Sequence, residues 1–449
     1  MKRRVFVAVA VFAALTAMPA AGGPPGQWTR LPGTVVNFAQ PGLARTSDGV
    51  LHVVYTRKAG TKSELAHTTV SAGGSVGSTS VALGNWASMS HPDLLRMPDG
   101  SLRVFFGGIR STNAGETNNA MNTATAPASG AQWTLQPGRA AQALYAYATS
   151  YAGAALAKNG TPISSWAGSP GLGFHYGVDP STPDGKIPQS SCCLYHPDIG
   201  VDSTSGQAWI GFTSNENATP GFFVNAIGPG GAEGGRKLAP GALTGGDFVQ
   251  PIGRTPITGR IDAAGVFIAY GQGYPTIKKI AVWRTDTAKP QLLLNAPGAK
   301  HVAVAAAPEG RLWVVWDLGG KVYATRTNRA ATRVGPATTI GAAGSKSVYE
   351  LDGEGSAGPL DVIANDGQGL WHQQVWPKLQ VSGKRAGKTT IVFTVADAGD
   401  PVTGATVKAG GKTLKTAANG RAVLAKAPSG RVKASATKAG YVAASTTVR

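Results

Sequence analysis

One pattern recurs along most of this chain: a turn ending in glycine, then a short alternating apolar strand. It appears as Asp48-Gly49 before Leu51–Tyr55 and as Asp99-Gly100 before Leu102–Phe106. Asn159-Gly160 precedes Pro162–Trp166, Ser205-Gly206 precedes Ala208–Phe212, and Ala264-Gly265 precedes Val266–Tyr270. Glu309-Gly310 precedes Leu312–Trp316, and the weakest copy is Ala357-Gly358 before Leu360–Ile363. Successive glycines stand 51, 60, 46, 59, 45 and 48 residues apart. Asp-Gly and Asn-Gly ahead of an apolar run mark hairpins, because these residues tolerate positive φ. Further strands follow, such as Glu64–Val70 and Lys321–Arg326. Four short strands in about fifty residues make one propeller blade. The expected fold is therefore all-β: a seven-bladed β-propeller over residues 27–377, or six blades if the last copy is not one. An irregular sandwich would not repeat at this period.

Composition agrees. The hydrophobic share, 42%, is too high for disorder, and 14% charged residues are too few for a coiled coil. The 62 glycines follow no three-residue period, which excludes collagen. Lys2, Arg3 and Arg4 precede an apolar run from Val5 to Ala17, then small residues to Gly23. That is the three-part pattern of a signal peptide over residues 1–21, so the mature protein is expected to be secreted, with no transmembrane segment after cleavage. The two cysteines are adjacent, Cys192-Cys193. Export leaves three states open for them: two thiols, a bridge to another chain, or a strained ring, since neighbouring Cα atoms lie only about 3.8 Å apart.

The formal charge is +19. Residues 378–449 hold 13 Lys+Arg against 2 Asp+Glu, so +11 of it sits there; the signal segment adds three and the remaining body carries +5. A basic tail is attracted to anionic polymers, including cell-wall polymers, and it also serves simply as a solvated surface.

Counting back from the repeat glycines locates a candidate site. Nine residues before them stand Gln40, His91, Tyr151, Pro256, His301 and Tyr349; in the fourth copy His196 is ten back. Three of the seven histidines thus share one register with two tyrosines. His91-Pro92-Asp93 and His196-Pro197-Asp198 repeat a tripeptide. In an extended segment residues i and i+2 face the same side, so each Asp is expected to point with its His. Two readings compete. The tripeptide is a staple between neighbouring blades, or it lines a polar pocket at the axis. In the second reading His91, His196, His301, Tyr151 and Tyr349 are candidate catalytic residues. Gln40, Asp93, Tyr195, Asp198, Cys192 and Cys193 are candidate ligand contacts on the same rim. Three imidazoles also suit a divalent metal, with Asp93 or Asp198 as oxygen ligand or second partner. His175-Tyr176 and Asn215-Glu216-Asn217 are weaker candidates, and Trp166, Trp209, Trp313 and Trp316 read as core.

The body resembles the sialidase-like and BNR-type propellers of exported bacterial proteins. Thr46-Ser47-Asp48-Gly49 matches part of their Ser-x-Asp-x-Gly-x-Thr-Trp box, while their Arg-Ile-Pro signature, and with it the arginine triad, has no counterpart here. The tail resembles a bacterial Ig-like or carboxypeptidase-regulatory-like β-sandwich through Pro401-Val402-Thr403-Gly404-Ala405, Thr416–Ala422 and Lys438-Ala439-Gly440-Tyr441. These resemblances imply a secreted carbohydrate-interacting protein that binds glycan at the axial mouth, with an accessory tail. An enzyme is the alternative. A polysaccharide lyase would use His and Tyr as base and acid, by fold analogy. A glycoside hydrolase, sialidase-like or otherwise, would use two carboxylates such as Asp93 and Asp198.

Overall fold

Each repeat glycine is where the chain turns back on itself. Gly49, Gly100, Gly160, Gly206, Gly265, Gly310 and Gly358 all have φ between 69° and 110°. A side chain would be strained there. In the first three copies the preceding Asp or Asn caps the turn: Val50 N–H donates to Asp48, Ser101 N–H to Asp99 and Thr161 N–H to Asn159.

The computed structural model describes residues 26–33, 35, 40–110, 120–136, 152–167, 174–178, 185–187, 194–214, 221–228, 231–242, 253–273, 276–344 and 347–449. Among them there is no α-helix. The turns join antiparallel strands into sheets of consecutive strands, for example Gly42–Arg45, Leu51–Ala59, Lys62–Val70 and Val76–Trp86. The first strands of the following sheets are Asp93–Arg96, Gly153–Leu156, Leu194–Val201, Ile257–Gly259, Val302–Ala307 and Glu350–Glu354. Each lies against the first strand of the next sheet, and Glu350–Glu354 returns to Gly42–Arg45, so the ring closes. This is a β-propeller. Small residues let the first strands crowd the axis: a Cβ on Gly42 would lie 2.7 Å from Leu94 N, and one on Gly153 2.5 Å from the Asp198 Cα.

Closure is made by the beginning of the chain. Thr29–Arg30 pairs with Trp371 and His372 as the outermost strand of the last sheet. Apolar clusters then glue neighbouring sheets: Trp313 and Val315 pack with Leu360 and Val362, and Phe267 and Ile280 with Leu312 and Val314. Trp166, Trp209, Trp313 and Trp316 are all buried, as the alternation implies.

Residues 378–449 form two more sheets, Gln380–Arg385 with Thr390–Asp397 and Arg421–Ala425, and Lys412–Lys415, Thr406–Ala409, Val432–Thr437 and Ala444–Val448. Ile391, Phe393 and Leu424 of one share a single apolar cluster with Val407, Val432 and Ala436 of the other.

Candidate functional site

The hub of the ring is held by a residue that the register did not single out. Arg254 precedes the short first strand Ile257–Gly259. Its Nη1 lies 2.9 Å from Asp93 Oδ1 and its Nη2 2.7 Å from Asp352 Oδ2. The same guanidinium donates to the carbonyls of Pro41 (2.8 Å), Pro92 (3.1 Å) and Ala152 (3.3 Å). One planar fork therefore ties the sheets that begin near Gly42, Asp93, Gly153 and Glu350 to its own. Its backbone N–H donates to Gln40 Oε1 at 2.6 Å.

Around it stand the two His-Pro-Asp segments. Gln40 N–H donates to His91 Nδ1 at 3.0 Å, so that nitrogen is unprotonated and the imidazole is neutral with its proton on Nε2. The carbonyl of His91 accepts from Ala152 N–H and that of His196 from Thr255 N–H, each at the start of the next sheet. Asp93 and Asp198 each accept from the following backbone N–H, Leu94 and Ile199, at 2.8 Å, and Asp93 also takes Ala154 N–H at 2.7 Å. His196 has a φ of 57° at an irregularity of pairing between Tyr195 and Asp198, and the Tyr195 ring lies 6.0 Å from its own. The extra residue in the fourth register count lies in the turn that follows: Asp202–Gln207 separates the paired residues Val201 and Ala208, where the shorter Met97–Ser101 separates Arg96 and Leu102.

The electrostatics follow from three carboxylates crowded around one guanidinium. Burial, reinforced by Asp93 and Asp352, pushes Asp198 well above the usual carboxylate range although Arg254 opposes it. Asp93 is raised as well, by burial, with Arg254 again pulling down. For Arg254 the carboxylates outweigh burial, and its pKa rises. Crowding the carboxylates around a single guanidinium thus disfavours having all of them charged at once. The imidazoles move the other way. Burial, with His196 and Arg254 nearby, brings His91 down to about 3, and burial brings His196 to about 4.

The remaining predicted residues have other partners or lie outside the described residues. His301 stands at the head of Val302–Ala307, but its Nδ1 is 2.8 Å from Asp317 Oδ1, and that carboxylate also accepts its backbone N–H. Tyr349 is 37% exposed and covers Gly367. Tyr151, Cys192, Cys193, Asn215-Glu216-Asn217 and the expected signal peptide lie outside the described residues; His175 and Tyr176 lie on the strand Phe174–Val178. So Gln40, His91, Asp93, Tyr195, His196 and Asp198 come together, and His301 and Tyr349 have separate partners. Among the described residues no group of three His, Cys, Asp or Glu side chains is placed to hold a metal ion. At the hub Arg254 already supplies the positive charge that a cation would.

An axial cavity of about 360 Å³ extends from Arg254 toward the C-terminal ends of the first strands. Asp93, Asp198, Arg254 and Asp352 line one end, and Leu95, Val201, Arg260 and Ser356 lie along it. The sequence placed the site at the opposite, N-terminal ends of these strands, where residues 36–39, 137–151, 188–193 and 243–252 lie outside the described residues.

No family model matches the chain. Over 64 residues it is 41% identical to the human retinitis pigmentosa 1-like 1 protein, a stretch covering 13% of this chain and 3% of that relative's length. It is similar to a chain in the crystal structure of the mitotic checkpoint complex, with a TM-score of 0.48 and 14% identity over 83% of this chain and 100% of that one. It is also similar to a chain from a structural analysis of two prolyl endopeptidases, with a TM-score of 0.38 and 14% identity over 82% of this chain and 56% of that one.

Proposed function

We propose that this chain is an exported seven-bladed β-propeller followed by a β-sandwich of the Ig-like or carboxypeptidase-regulatory-like kind, and that it binds glycan in its axial cavity without cleaving it. The cavity carries this reading. Its volume, about 360 Å³, suits one or two sugar rings, within the about 300–1,000 Å³ usual for ligand sites. Its end wall offers the Asp198 carboxyl, which burial pushes toward its protonated form, beside Asp93 and Asp352 fixed by Arg254. Such preorganised pairs suit vicinal sugar hydroxyls. Lyase chemistry is disfavoured: a general base works best with a pKa near the working pH, and His91 and His196 sit at about 3 and 4.

A glycoside hydrolase is the second reading, favoured by the upward shift of the Asp198 carboxyl, the direction a general acid needs. Calorimetric titration of the full chain with neutral mono- to tetrasaccharides, with reducing-end release assayed in parallel, separates the two. Saturable binding without release, weakened about tenfold in Asp198→Ala, supports recognition. Release that disappears in Asp198→Asn supports the hydrolase. No binding and no release across the panel overturns both.

A further inference from the structure

Residues 378–449 contain two acids, Asp397 and Asp400, and both face the propeller. Arg326 donates to Asp397, and Arg311 Nη2 lies 2.7 Å from Asp400 Oδ2. The Arg329 backbone N–H donates to the same Asp400 oxygen at 2.7 Å, and Tyr441 lies under the Arg326 guanidinium, 5.4 Å from its centre. The unit's own negative charge is thereby neutralised at this seam. Its 13 basic residues keep no carboxylate of their own to pair with.

Three of them share one sheet face. Lys408 stands opposite Thr413 and Ser435, Lys415 opposite Thr406, and Lys433 opposite Thr447. Their alternates Val407, Ala409, Val432, Ala434 and Ala436 enter the core, so this set is the outward face. Lys408, Lys415 and Lys433 are exposed, and Lys415 Nζ donates to Thr406 Oγ1 at 2.6 Å across the face. The surface consists of ammonium groups interleaved with hydroxyls and carries neither carboxylate nor aromatic ring.

We propose that this face binds a polyanionic polysaccharide, a chain of carboxylated or sulfated sugars, separately from the axial cavity. Strands lie about 4.8 Å apart and alternate side chains about 6.6 Å apart along each, so the charge is spread over a plane. A spread of point charges fits an extended polymer better than one small anion. The threonine and serine hydroxyls between them match sugar hydroxyls. Single-stranded nucleic acid would call for aromatic stacking platforms, and the face has none. The attraction is screened by salt.

The test uses the full chain with polygalacturonate, uncharged dextran and a single-stranded DNA oligomer, in about 50 mM and about 200 mM salt. Polygalacturonate is expected to bind, to weaken several-fold at the higher salt, and to exceed DNA about tenfold; dextran should not bind to this face. Combining Lys408→Glu, Lys415→Glu and Lys433→Glu should cut the affinity at least about tenfold with an unchanged melting temperature. The same reversal at exposed propeller lysines Lys58, Lys279 and Lys321 should leave it intact. If the triple reversal does not fold, the three Lys→Gln changes should give a smaller loss in the same direction. Undiminished binding in the folded triple variant, an equal loss in the propeller control, or equally tight DNA binding overturns the proposal. Failure of neutral sugars to bind would overturn the axial reading and leave this one standing.

Discussion

Arg254 shows how one side chain can decide the centre of a ring. It is buried, and its partners Asp93 and Asp352 are nearly so. Replacing it by Met removes the charge while the carboxylates stay. Breaking a buried pair in this way costs about 3–5 kcal/mol, to be read from chemical denaturation. Lysine should recover only part, since a single ammonium cannot reach two carboxylates and three carbonyls. Nothing in the sequence marked this residue. The register count stopped at Pro256, two positions on, and Arg254 belongs to no repeated tripeptide; His91 and His196 were legible because theirs recurs. A second residue-scale device lies in the first sheet. His67 and His52 are hydrogen-bonded at 2.9 Å, His52 contacts Thr46, and Thr46 donates to Asp48. With the Thr46 proton given to Asp48, His52 donates through Nε2 and accepts from His67 through Nδ1, so the His52 ring is neutral. Burial brings His67 down to about 4 and lowers His52. A lowered imidazole pKa means that the unfolded chain binds more protons below its own value, 6.5, so stability falls as pH drops from there toward 4. His67→Gln should lose stability at pH 7 yet flatten the curve between pH 7 and 4 by on the order of 2 kcal/mol, measured by urea melts across that range.

At the scale of elements, the hairpins were readable because each depends on a few adjacent residues. A glycine with positive φ and a capping Asp or Asn place the turn, and the apolar alternation fixes which face is buried. The closing strand was not readable. Thr29–Arg30 is two residues long, too short for any period, and its partner lies near the other end of the propeller. Leu31 follows it, 1% exposed, with its N–H donating to Leu370 O at 2.8 Å. Leu31→Ala should therefore cost about 2–4 kcal/mol and lower the melting temperature of the whole ring, because one loosened sheet opens the circle. A local effect confined to the first turn of chain, with the propeller melt unmoved, would contradict closure by this strand.

Across the whole molecule, the tail is fastened through charge. Asp397→Asn with Asp400→Asn should release it from Arg311 and Arg326 while both apolar cores stay intact. Limited proteolysis near Trp376–Leu379 should then speed up several-fold, with the propeller transition shifted by no more than about 1–2 °C in calorimetry. The sequence read the tail as a basic unit with two acids, and that count was correct. It gave no sign that both acids are spent on the propeller, since their arginine partners stand some seventy to ninety residues earlier.

What the chain's order of residues determined alone is everything set by neighbours: where it turns, which strand faces go inward, and that a strand unit repeats. Which polar groups meet was decided by the closed ring. Asp93, Asp198, Arg254 and Asp352 are far apart along the chain, and their charges interact only after the first strands crowd one axis. Coulomb energy depends on distance and burial, and neither is written into sequence spacing.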